Sequence, residues 1–87
     1  MELQIGQVVY SKMGRDRGMA FIVYKVEGEY AYLTDGEFRR LARPKKKKIK
    51  HIQPTKDIYW ELSREISSGA YVMDSDIVKI LRERENF

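Results

Sequence analysis

Apolar positions in the first half of the chain fall in short runs of strand character, and in the second half they recur at helical spacing. Residues 5–12 (IGQVVYSK) and 19–26 (MAFIVYKV) read as two strands, followed by a turn at Glu27, Gly28 and Glu29. Residues 30–34 (YAYLT), rich in aromatic and β-branched types, read as a third strand. Asp35-Gly36 is a hairpin signal, because a type I′ turn needs positive φ at both central residues. A fourth strand is expected over 38–42, set among Arg39, Arg40 and Arg43. Pro44 then punctuates, since it lacks the N–H of a central ladder. A short fifth strand is expected over 49–53. Five such strands within about fifty residues, joined by tight turns, predict a small barrel. Val8, Val23, Leu33, Leu41 and Ile52 are the expected core. Phe21-Ile22-Val23 is apolar on both parities, however, so periodicity does not say which side faces inward.

The pattern changes at Pro54. Thr55 is a candidate helix cap and Asp57 suits a first turn. Ile58, Leu62 and Ile66 recur at i, i+4 and i+8, and Tyr59 widens that stripe. Gly69 suits the left-handed position that ends a helix. A second helix is expected from Asp74, with Ile77, Val78 and Leu81 on its apolar face and Lys79, Arg82 and Arg84 toward its far end. The expected organisation is a barrel over residues 1–54 and a helical extension over 55–87, packed on or beside it.

Eighty-seven residues make one domain with a modest core. There is no cysteine and a single histidine, so disulfides are excluded and a structural zinc site lacks its usual ligands. No apolar run approaches the ~20 residues that span a bilayer. Glu2 stands where a secretory leader needs positive charge, and a cytoplasmic protein is expected. The net charge of +4 is unevenly placed. Residues 1–56 carry 13 Lys and Arg against 6 Asp and Glu, while residues 57–87 carry 4 against 7. A polyanion partner therefore points to the β-rich part.

Within that part, Gly14-Arg15-Asp16-Arg17-Gly18 joins the first two strands. Glycines permit positive φ, and the two arginines project from a constrained turn where their planar forks can meet phosphate. Asp16 is expected to bond the loop's own backbone. A plain hairpin turn with solvated charges would use the same residues. The order of residues goes further: from Gly6, Val8 and Val9 through residues 14–18 to Phe21, Ile22 and Val23, the stretch resembles a KOW motif. Over residues 5–53 the chain is similar to short bacterial KOW-domain RNA-binding proteins related to the eukaryotic-type ribosomal protein 14e group. Asp35-Gly36, Arg39-Arg40 and the Pro-Lys-Lys-Lys-Lys-x-Lys-His segment share in that similarity. The resemblance implies an SH3-like barrel that binds ribosomal RNA. Met19 and Ala20 depart from it, since many members carry a basic residue or glycine there, and the tail from Asp57 onward lies outside it.

Lysines in the run neutralise phosphate without reading bases, so they position RNA and make its binding salt-dependent. The same run would also serve as a solubilising loop or a charge-protected sheet edge. The expected RNA contacts are Lys12, Arg15, Arg17, Arg39, Arg40, Arg43, Lys45, Lys46, Lys47, Lys48, Lys50 and His51, with Gly14 and Gly18 shaping the loop, all on one basic face. Tyr10, Tyr24, Tyr30 and Tyr32 lie on strands, where half-buried packing is the commoner role than base stacking. Trp60 is expected to anchor the first helix on the barrel, and Asp74 and Asp76 to cap the second rather than hold a metal. Nothing assembles a nucleophile, base and oxyanion donor, so no catalysis and no cofactor are expected. The rival expectation is an SH3-like protein-interaction module using an aromatic groove or the helical tail.

Overall fold

The structure, a computed structural model, describes residues 2–85. Its mainly β body is one antiparallel sheet of five strands: β1 (Gln7–Ser11), β2 (Ala20–Glu27), β3 (Tyr30–Thr34), β4 (Lys45–Lys48) and β5 (Ile52–Ile58), ordered β4-β3-β2-β1-β5. A 3-10 turn, Ile49–His51, links β4 to β5, and helices α1 (Trp60–Ser67) and α2 (Asp74–Glu85) follow. The ladder leaves β4 and β5 as edges, so the strand pairing is open where a closed barrel was expected. Among the described residues no helix is long and apolar enough to cross a membrane.

Both faces of the sheet are buried at the start of β2, which explains the double parity of Phe21-Ile22-Val23. Val9, Phe21, Val23, Ala31, Leu33 and Ile52 form one cluster, each 3% exposed or less, with Leu3, Met19 and Ile49 at its margin. No helix contributes to that cluster. A sheet hides its own face this way only by curling over it. Two register shifts assist, because bulges bend strands and add twist. Tyr24 is the extra residue between the pairs Val23–Leu33 and Lys25–Tyr32, and β1 slips against β5 between Gln7 and Val9. On the other face Val8 and Ile22 meet Leu62, Ile77 and Leu81 of the helices, with half-buried Leu41 packed alongside. The helices thus cover the β1–β2 half of that face and supply the second half of the core.

The expected strand at 38–42 does not form. Local side chains take the backbone groups a strand would need. Asp35 Oδ1 accepts from the N–H groups of Glu37 and Arg39, and Thr34 Oγ1 donates to the Arg39 carbonyl. Leu41 N–H goes to Asp74 Oδ1 at the start of α2. Asp35 itself has no positive φ, so Asp35-Gly36 makes no type I′ turn. The fourth strand is the lysine run instead, paired from Tyr30–Lys48 to Leu33–Lys45.

The expected strand at 49–53 begins only at Ile52, and β5 runs past Pro54 to Ile58. Proline is tolerated because β5 is an edge. Thr55 caps no helix: its hydroxyl donates to the Val8 carbonyl at 2.7 Å, inside the sheet. Helix α1 therefore starts five residues later, at Trp60, and ends as expected at Gly69, φ +78°. Trp60 is 56% exposed and anchors nothing; Leu62, buried in the second cluster, holds α1. Accordingly Leu62→Ala and Ile77→Ala are each expected to cost about 2–5 kcal/mol in urea unfolding, while Trp60→Ala stays within about 1 kcal/mol, as an exposed position should.

Each helix is seated on a glycine. The Gly6 carbonyl accepts from Tyr59 N–H, and a Cβ on Gly6 would come within 2.8 Å of the Tyr59 carbonyl and 3.2 Å of Ser63. Gly36 lies against the first turn of α2, touching Asp74 and Val78. Helix α2 is further latched along its length. Arg82 pairs with Glu37, and Arg84 pairs with Asp57 and donates to the Tyr10 hydroxyl.

Candidate nucleic-acid interface

The β1–β2 loop is built from two successive turns, Arg17 N–H to the Gly14 carbonyl and Met19 N–H to the Asp16 carbonyl, closed by Gly18 N–H to the Ser11 carbonyl. Gly14 and Gly18 take φ of +90° and +85°, the region expected of them. With its backbone thus used, the loop holds Arg15 and Arg17 out in solvent and turns Asp16 inward.

Asp16 does not bond its own loop's backbone through its side chain as expected; it is the centre of a buried ionic cluster. Ser11 Oγ donates to Oδ1 at 2.6 Å, and Lys47 Nζ lies 3.1 Å from the same oxygen. Lys47 also donates to the Met13 carbonyl at 2.8 Å. Lys45 Nζ sits 2.7 Å from Oδ2, an ion pair without the direction of a good hydrogen bond. Burial alone pushes the Asp16 carboxyl up. The contacts from Lys45, Ser11 and Lys47 outweigh that and hold it well below the usual carboxylate range. The cluster ties the edge strand β4 to the β1–β2 loop, across the side the ladder leaves open.

The pleat of β4 divides the lysine run in two. Lys45 and Lys47 stand opposite Leu33 and Ala31, so they share the face of the curled core. Their side chains are 24% and 9% exposed, and both end on Asp16. Lys46 and Lys48 stand opposite Tyr32 and Tyr30 on the outer face, in solvent. Lys47 is therefore a structural cation, out of reach of a phosphate, and Lys45 is half committed.

The remaining basic residues divide as well. Arg15, Arg39 and Lys45 line one shallow cleft with Asp16, Met19 and Phe21, about 260 Å³ in volume. That is below the ~300 Å³ of small-molecule pockets, and suits a groove for part of a larger chain. Lys12 N–H bonds the His51 carbonyl, which places Lys12, Lys50 and half-buried His51 beside the same loop. Arg40 instead faces α2, in a cleft shared with Asp74, Lys79 and Arg82. Arg43 is exposed in the loop before β4. Among the described residues Lys12, Arg15, Arg17, Arg39, Arg40, Arg43, Lys46, Lys48 and Lys50 have no acidic partner.

One further residue belongs to the basic surface although sequence reasoning left it out of the site: Lys25, whose ammonium lies 5.5 Å from the Tyr32 ring, much as the expected contact Lys46 lies 4.5 Å from that of Tyr30. Its place opposite Tyr32 across the β2–β3 hairpin is the signal that could have found it. Asp76 accepts from Met73 N–H just before α2, as a cap does, whereas Asp74 accepts from Leu41 N–H in the loop before β4 rather than capping its own helix. Compared with known proteins, the chain matches no protein-family model and no curated protein.

Proposed function

We propose that this chain is a non-catalytic RNA-binding module of KOW type on an SH3-like fold, cytoplasmic and acting on ribosomal or other structured RNA. The observation that carries the reading is the inward neutralisation of Asp16. The only carboxylate of the 14–18 loop is consumed by Lys45 and Lys47, so the loop presents Arg15 and Arg17 without a competing anion. Arg39 adds a third guanidinium across the cleft. Guanidinium forks suit phosphate oxygens, and a loop whose backbone groups are already bonded loses little freedom on binding. The strongly curled sheet and the 3-10 turn between its last two strands support the SH3-like reading of the fold.

Replacing Arg15, Arg17 and Arg39 together with Ala tests it. Affinity for a ribosomal RNA fragment, followed by anisotropy between 50 and 200 mM salt, is expected to fall at least about tenfold, given the ~1.5–3 kcal/mol of a charged hydrogen bond. The log–log salt slope should shrink by roughly 2–3. Circular dichroism should show an unchanged melt, since all three side chains are exposed. Unchanged affinity and slope would sink the reading. A peptide-docking module, the alternative, predicts that indifference.

A further inference from the structure

The outer face of β2, β3 and β4 carries a grid that neither core cluster uses. Lys25 pairs with Tyr32 and Tyr32 with Lys46; in the next row Glu27 pairs with Tyr30 and Tyr30 with Lys48. Residues directly opposite in a ladder point to the same side, so on one surface Tyr32 lies between two lysines and Tyr30 between Glu27 and Lys48. The helices do not reach it, because their contacts on this face are to Val8, Ala20 and Ile22 of β1 and β2. Of the strand tyrosines, Tyr10 is held by Arg84, and Tyr24 lies against the end of α1 beside Ile66 and Gly69. Tyr30 and Tyr32 are half-exposed, and neither hydroxyl has a protein hydrogen bond among the described residues.

We propose that this face is a second RNA contact, a platform on which two unpaired bases of single-stranded RNA stack, one on Tyr30 and one on Tyr32, with Lys25, Lys46 and Lys48 at the phosphates. The proposal rests on the RNA-binding reading above and names the kind of RNA that this face takes. The rings are two residues apart on one strand, about 6.8 Å, a spacing that serves bases splayed from one another. In the free protein each ring face is occupied by a lysine ammonium. Those lysines are exposed, and an exposed cation–π contact is weaker than base stacking on an aromatic ring. A base displaces the ammonium, and the flexible lysine stem carries it to the adjacent phosphate. Glu27, opposite Tyr30, has its charge met by Lys25 at 3.1 Å, and Glu29 bounds the patch at the Gly28 turn. A-form duplex keeps its bases stacked on each other and has nothing to offer these rings.

The test compares a single-stranded RNA decamer with a hairpin duplex, using Tyr30→Leu/Tyr32→Leu and Tyr30→Phe/Tyr32→Phe. Leucine keeps the half-buried apolar contact and removes the π-face. Phenylalanine keeps the face. The leucine variant is expected to lose about tenfold or more in affinity for the single strand, one base's stacking or better, and nothing for the duplex. The phenylalanine variant should bind both as the wild type does. In NMR titrations, ring protons of Tyr30 and Tyr32 should shift upfield with the single strand alone. Wild-type affinity of the leucine variant for the single strand overturns the platform while the arginine result stands. Loss of both RNAs in a variant that melts normally overturns its single-strand specificity. A wild-type protein that binds neither RNA overturns both readings together.

Discussion

Asp16→Ala is expected to lower the stability of the fold by about 3–5 kcal/mol, the loss seen when one partner of a buried ion pair is removed. The reason is Lys47. Its ammonium is buried, and without Asp16 it keeps only the Met13 carbonyl. For a domain of this size each kcal/mol moves Tm by roughly 4–8 °C, so a thermal melt reads the effect easily. Lys45 adds less, because its side chain is 24% exposed and partly screened. Removing both charges, as Asp16→Asn with Lys47→Met, should recover much of the loss, since a desolvated pair costs nearly what it returns. The same group sets a pH dependence. Its carboxyl titrates below the ordinary range in the folded protein. Its contribution is therefore complete above the unfolded value of about 3.9 and is lost as pH falls toward the lower folded value. The stability gap between wild type and Asp16→Asn should be level from pH 7 to about 5 and close progressively below about 4. A gap that stays level down to pH 3 would contradict the cluster.

Gly36→Ala is expected to cost about 2–4 kcal/mol, and Gly28→Ala only about 1. Both glycines have positive φ, +79° and +59°, where a Cβ is penalised by about 1–2 kcal/mol. They differ in what a Cβ meets. At Gly28 nothing lies within 4 Å. At Gly36 it would strike the Asp74 carbonyl and come within 2.8 Å of Val78 Cγ2. The carbonyl is backbone in the first turn of α2 and yields only if the helix moves, an overpacking cost of about 1–3 kcal/mol. The difference between the two variants in urea unfolding isolates the seat of α2. Equal losses would mean that the helix does not rest there.

Strands that alternate or carry β-branched runs were legible from composition alone, and β3 falls at residues 30–34 as expected. What failed turned on side chains competing for backbone groups. Asp35 and Thr34 look like ordinary turn and strand residues, yet together they bind Glu37, Gly36 and Arg39 and stop a strand that apolar Phe38 and Leu41 suggest. Thr55 has the composition of a helix cap, and only the presence of Val8 across the sheet makes it a strand residue. The glycine-bounded loop was legible because positive φ is a local demand. The destination of Asp16 was not, because its partners are 29 and 31 residues away on a strand whose like charges argue against its forming. Four adjacent lysines read as a solvated tether until a nearby buried carboxylate gives two of them a reason to turn inward.

The homopolymer character of β4 has its own consequence. A one-residue slip of a strand normally exchanges its buried and exposed side chains. Here the exchange would put lysine where lysine was, so the segment contains no information about its own alignment. That information resides at its borders: Pro44 before it, and Ile49 after it, whose N–H bonds the Glu29 carbonyl while its side chain packs under the curled sheet. The run behaves as a ruler whose length matters and whose individual letters are interchangeable. Losing one lysine would shorten the span between two anchors before it removed a charge from any particular place.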